Sequence, residues 1–110
     1  MSTLSTGPIE NGVLPVSGVR PTQQVIVKID NRSTLTTTSV LIQGFYLNGV
    51  RTQYVLELLY VVPNQVITRE YFADFDGFEF IFETPLDGLD DTIQISVWGV
   101  DAEGQLVTAH

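Results

Sequence analysis

From residue 23 onward, apolar and polar residues alternate with period two, and the runs are punctuated by Asn48-Gly49, Pro63-Asn64, Asp76-Gly77 and Asp101-Ala102-Glu103-Gly104. This alternation is the signature of half-buried strands. Val25, Val27 and Ile29 share one face of the run 23–30. Further runs span 34–47, 50–62, 65–74, 78–83, with Phe78, Phe80 and Phe82 facing one way, 93–98 and 105–110. Seven strands in a chain of 110 residues make one domain, and the expected fold is an all-β antiparallel sandwich of jelly-roll or immunoglobulin-like type. Residues 54–62 hold enough Leu and Glu for a turn or two of helix. The Asn48-Gly49 pair ahead of them reads as a type I′ hairpin turn, which selects a strand instead.

The first 22 residues differ in kind. They carry three of the nine glycines and three of the five prolines, Pro8, Pro15 and Pro21, so neither a helix nor a central strand is expected. Yet Leu4, Ile9, Val13, Leu14, Val16 and Val19 recur through the segment, and side chains of this kind favour a groove over water. The chain therefore divides into an extended N-terminal arm, 1–22, and a β-sandwich domain, 23–110. The arm lacks the basic start and apolar run of a signal peptide, and no segment approaches a membrane-spanning length.

Composition narrows the function. There is no cysteine, and the single histidine is the last residue, His110, so disulfides, thiolate metal sites and imidazole-driven catalysis are not expected. Thirteen acids against five bases give a formal charge of −8, which opposes nucleic acid and anionic lipid as partners. The charge is uneven: Arg20, Lys28, Arg32 and Arg51 outweigh Glu10 and Asp30 in residues 1–55, whereas 56–110 hold eleven acids against Arg69.

Three acidic turns invite a calcium reading: Asp74 with Asp76, then Asp87, Asp90 and Asp91, then Asp101 with Glu103. None has the twelve-residue ligand spacing of an EF-hand, and Asp and Gly are what tight turns demand anyway. Glu79 and Glu83 fall on one strand face, a solvated pair in preference to the two carboxylates of a glycosidase. No catalytic residue, metal or cofactor is therefore expected. Trp98 shares the parity of Gln94 and Ser96, which sets it on the polar face of its strand. It reads equally as an interface aromatic or as cover for a sheet edge, with sugar stacking a weaker alternative. The threonine-rich stretch 33–39 reads as a solvated strand face.

An apolar arm on a β domain suggests strand addition to a neighbour, in which main-chain hydrogen bonds supply affinity and alternate side chains supply specificity. Fully extended, the arm would reach roughly 60–70 Å at about 3.3 Å per residue. Burial of about five aliphatic side chains would contribute on the order of 10 kcal/mol before association costs. Leu4, Ile9, Val13, Leu14, Val16 and Val19 are the expected docking side chains. The acceptor groove is expected along edges supplied by Val25, Val27 and Ile29 and by Ile93, Ile95 and Val97.

The Pro/Gly-interrupted arm, the opening Gln-Gln-Val-Ile-Val-Lys-Ile-Asp-Asn-Arg-Ser at 23–33 and the closing segment at 95–110, Ile-Ser-Val-Trp-Gly-Val-Asp-Ala-Glu-Gly-Gln-Leu-Val-Thr-Ala-His, together resemble the thin, F-type endospore appendage fibre subunits of endospore-forming bacteria. That resemblance implies a structural homopolymer anchored on the exosporium of the spore surface. Subunits would be assembled head to tail in the mother cell without a signal peptide, with separate anchor and tip proteins as further partners. The thicker spore appendages cross-link through cysteines in their N-terminal connector, and this cysteine-free chain departs from them. The competing class is a small binding module for carbohydrate or protein with a disordered N-terminal tail.

Overall fold

The computed structural model describes residues 2–15, 18–84 and 93–109. Among these residues nine strands follow in chain order: β1 (Ser2–Ser5), β2 (Ile9–Glu10), β3 (Gln24–Asn31), β4 (Thr38–Leu47), β5 (Arg51–Val61), β6 (Val66–Phe72), β7 (Gly77–Thr84), β8 (Ile93–Val100) and β9 (Leu106–Ala109). The seven strands expected after residue 22 are all present, and residues 51–61 are strand, not helix. Two further short strands lie within the arm.

All pairings are antiparallel. One sheet, sheet A, runs β1-β7-β4-β5, with β2 also on β7, and the other, sheet B, runs β6-β3-β8-β9. The pairs are nested: β4 with β5, β3 with β6 in the opposite sheet, then the arm strands with β7 back in the first. This is the winding of a jelly roll, a two-sheet solution to covering one apolar core.

The inward faces are those the alternation picks out. Val25, Val27 and Ile29 of β3, Val40 and Ile42 of β4, and Phe78 and Phe80 of β7 are all fully buried. Gly44 makes room between the sheets, because a Cβ there would sit 2.8 Å from Phe80 Cε1 and 2.9 Å from Val55 Cβ. At this point the β4–β5 register shifts: Gly44 pairs Val55 and Phe45 pairs Gln53, so Tyr54 is the extra residue of a bulge. Strict alternation would put Tyr54, Leu56, Leu58 and Tyr60 on one face, and the bulge breaks it. Tyr54 packs inward against Phe75 and Phe80, while Leu56, Leu58 and Tyr60 point out.

The hairpin at Asn48-Gly49 also differs from expectation. Leu47 pairs Arg51, so the loop has three residues, and only Gly49 has positive φ, at 77°. A type I′ turn needs two such residues. Pro63-Asn64 behaves as composition suggests: Gln65 N–H donates to Val62 O at 3.1 Å, and Asn64 takes φ 64°, the pattern of a type II turn with Pro first.

Candidate assembly site: the arm and the edge it covers

The arm lies along the full length of β7. Ser2 to Ser5 face Thr84 to Ile81, and Ile9 and Glu10 face Phe78 and Gly77. Between these two stretches, three arm residues oppose two of β7, a one-residue bulge at Thr6-Gly7-Pro8. Gly7 adopts φ 70°, a conformation open to glycine at no steric cost, and Pro8 has no N–H to leave unpaired. Thr6 spans the gap: its N–H donates to Phe80 O at 3.0 Å, and its Oγ1 accepts from Phe80 N–H at 3.1 Å.

The bulge sets the chemistry of the contact. Leu4 and Ile9 are five residues apart, so in a regular strand they would face opposite ways. The extra residue restores their phase. Leu4 sits opposite Phe82 and Ile9 opposite Phe78, both on the inward side. Ile9 packs against the core. Leu4, half exposed, borders a cavity of about 210 Å³ with Phe82, Ile95 and Val97. On the outward side, Ser5 Oγ donates to Glu79 Oε2 at 2.9 Å, and Arg51 Nε lies 3.2 Å from Glu79 Oε1. Glu79 thus joins the arm to the β4–β5 hairpin.

Beyond Glu10 the arm turns back on itself. Leu14 N–H donates to Val19 O at 2.9 Å and Gly18 N–H to Leu14 O at 2.8 Å, so Leu14 is tied to Gly18 and Val19 and the arm doubles back. Asn11 fixes both ends of this excursion. It is 1% exposed; its Nδ2 donates to Thr22 O, Ala73 O and Phe75 O at 2.8, 3.1 and 2.9 Å, and its Oδ1 accepts from Thr22 N–H at 2.9 Å. Its own N–H donates to Asp76 O at 2.7 Å. Arg20 forms a second clasp, with Nη2 2.7 Å from Asp76 Oδ1 and Nη1 3.2 Å from Asp74 Oδ1. The hydrogen bonds to Asp76 and Asp74 raise the Arg20 pKa further above its ordinary value. The first acidic turn therefore holds a guanidinium.

Of the expected docking side chains, Ile9 and Leu4 meet the body through β7, while Val13, Leu14 and Val19 are about half exposed outside the paired stretch. Val16 lies outside the described residues, as do Asp87, Asp90, Asp91 and His110. The expected acceptor needs correction. β3 is flanked by β6 and β8, and β8 by β3 and β9, so neither supplies an edge. Val25, Val27, Ile29 and Ile93 are core residues between the sheets. Only Ile95 and Val97 reach the arm, as the far wall of the Leu4 cavity. The edge that the arm covers belongs to β7.

Trp98 lies on the outer face of β8, 37% exposed, level with Ile26 of β3 and Ala109 of β9. At the opposite side of the sandwich, the strands that end the two sheets are joined by side chains. Glu57 of β5 accepts from Tyr71 Oη at 2.5 Å and from Arg69 Nε at 3.2 Å, and Tyr54 Oη donates to Phe72 O. The Tyr71 hydrogen bond, helped by Arg69 and opposed by desolvation, holds the Glu57 carboxyl below its usual range. Burial pushes the phenols of Tyr54 and Tyr71 well above theirs.

Asn11, Glu79 and Arg20 are not among the docking residues that the sequence points to, because each acts through a polar group whereas the recurring pattern of the arm is apolar. No protein-family model matches the chain, and no curated protein or solved structure matches it either, so the arm on β7 rests on geometry alone.

Proposed function

We propose that this chain is the subunit of a thin homopolymeric fibre, in which the arm of one copy occupies the β7 edge of the next. One observation carries the reading. The segment covering β7 is separated from the body by residues 12–21, on either side of which Asn11 and Thr22 meet, so straightening that stretch allows the arm's contacts with β7 and through Asn11 to be remade in trans without new chemistry. This is the logic of domain swapping, and a head-to-tail exchange that does not close on itself gives a filament.

Dimensions agree with the exchange. Straightened, residues 12–21 would reach roughly 30 Å at about 3.3 Å each, comparable with the 29 Å middle dimension of the molecule. The docked segment carries one charge, Glu10, so little ionic desolvation opposes its entry. Ile9 and half of Leu4 supply a few kcal/mol of apolar burial, about 2–5 by area, and the β7 ladder supplies direction and register. The likeness of the sequence to thin spore appendage subunits supports setting the fibre on the endospore surface.

Electron microscopy of the full-length chain beside a chain lacking residues 1–13 tests the proposal. Fibres from the first and none from the second are expected, and a synthetic peptide of residues 1–14 should shorten the fibres by capping β7. Fibres that persist after the deletion would refute arm exchange, as would a full-length chain that stays monomeric at high concentration.

A further inference from the structure

We propose that the opposite edge of sheet A, strand β5, pairs antiparallel with β5 of a second copy about a two-fold axis at Leu58. Among the described residues four positions end a sheet: the arm, β5, β6 and β9. Most are protected in the ways that edges usually are. β9 is four residues long, the arm is broken at Gly7-Pro8, and β6 carries adjacent charges at Arg69 and Glu70. β5 is eleven residues long, and past the Tyr54 bulge residues 55–61 read Val-Leu-Glu-Leu-Leu-Tyr-Val. Such a segment, with strong β-propensity, no Pro or Gly and one charge, is a template for pairing.

The single charge in it does not face a partner. Glu57 is turned between the sheets and bonded by Tyr71 and Arg69. The outward side carries Leu56, Leu58, Tyr60 and, just beyond, Val62, at 65%, 51%, 67% and 48% exposure. Together these residues expose roughly 400 Å², within the range of the largest apolar patch on a typical monomer, which is often functional.

Charge and register select the occupant. Copies carrying −8 each repel, and their approach is least opposed where a neutral strand meets a neutral strand. A two-fold at Leu58 is the register that pairs all seven regular residues. It sets Leu58 on Leu58, Leu56 on Tyr60 and Glu57 on Leu59, with no like charges opposed. Two stripes and two backbone edges bound the area removed from water at on the order of 1,000 Å², the value at which an interface begins to count as specific. The arm closes the other edge of the same sheet, so this pairing is independent of arm exchange and compatible with it; in a fibre it would join two filaments side by side.

The chain contains no cysteine, so Leu58→Cys in the full-length protein adds one thiol at the axis. Mild oxidation should convert most of it to disulfide-linked dimer, whereas Leu35→Cys, on a loop residue 90% exposed, should cross-link only at background level. Leu58→Lys places two cations on the axis and should weaken association, read by analytical ultracentrifugation, by about a hundredfold. Equal cross-linking of the two cysteine variants, or association unchanged by Leu58→Lys, would overturn the proposal. If only the arm reading fails, head-to-tail polymers disappear while the Leu58→Cys dimer persists; should Leu58→Lys not fold, the cysteine pair decides.

Discussion

Asn11 is buried with every polar atom of its side chain occupied, and it ties the arm to the carbonyls of Ala73 and Phe75 between β6 and β7. Asn11→Ala leaves Thr22 N–H and the carbonyls of Ala73 and Phe75 without these partners, a loss of about 3 kcal/mol at the usual cost of buried unsatisfied groups. Asn11→Asp is nearly isosteric yet turns an acceptor toward three carbonyl oxygens, so it should lower the urea midpoint further than alanine does. Equal midpoints for the two variants would show that the amide donors are not what matters. Nothing in the local sequence marks this role. Asn11-Gly12 looks like any turn pair, and the carbonyls it binds lie 11, 62 and 64 residues away.

At the scale of elements, alternation was enough to read all seven strands of the body and the inward faces of β3 and β7, because period two and a buried face are the same fact seen twice. Bulges were not readable, since one extra residue changes phase without changing composition. The acceptor was misjudged for a related reason: the buried face of an inner strand and the lining of an empty groove carry the same apolar pattern, and only the order of strands separates them. Neighbours in a sheet are a long-range property. The arm makes the point testable. Gly7→Val opposes the left-handed φ of 70° on which the bulge rests; regular pairing back from Ile9 then turns Leu4 outward, so its contact with the Phe82 cavity is lost for about 1–2 kcal/mol. If the arm is exchanged between copies, the substitution should also shorten fibres measured by microscopy. A Gly7→Val chain with wild-type stability and fibre length would mean that Leu4 contributes nothing.

Across the whole molecule, the uneven charge of the sequence is partly folded away. Arg20 and Arg51 from the first half meet Asp74, Asp76 and Glu79 from the second, so bases scattered early in the chain pin the acids that follow. Stability against pH should reflect the pairs that are tied into hydrogen bonds. Glu57 has a folded pKa below its ordinary 4.5, and a depressed carboxyl contributes stability that is present above that value and lost as pH falls through the folded one. Tyr54 and Tyr71 are raised above 10.0, so their contribution is present below pH 10.0 and lost as pH rises beyond it. All three groups lie where β5 and β6 close the sandwich, so both limbs report the same seam. Glu57→Gln should reduce the fall in urea midpoint between about pH 5 and 3 relative to wild type. Tyr71→Phe should reduce both that fall and the loss above pH 10, because its hydroxyl is the main cause of the Glu57 shift and is itself one of the raised phenols. The three proteins share every other acid, so the difference between variants isolates the seam. Parallel pH profiles for wild type, Glu57→Gln and Tyr71→Phe would show that the seam contributes no pH-dependent stability.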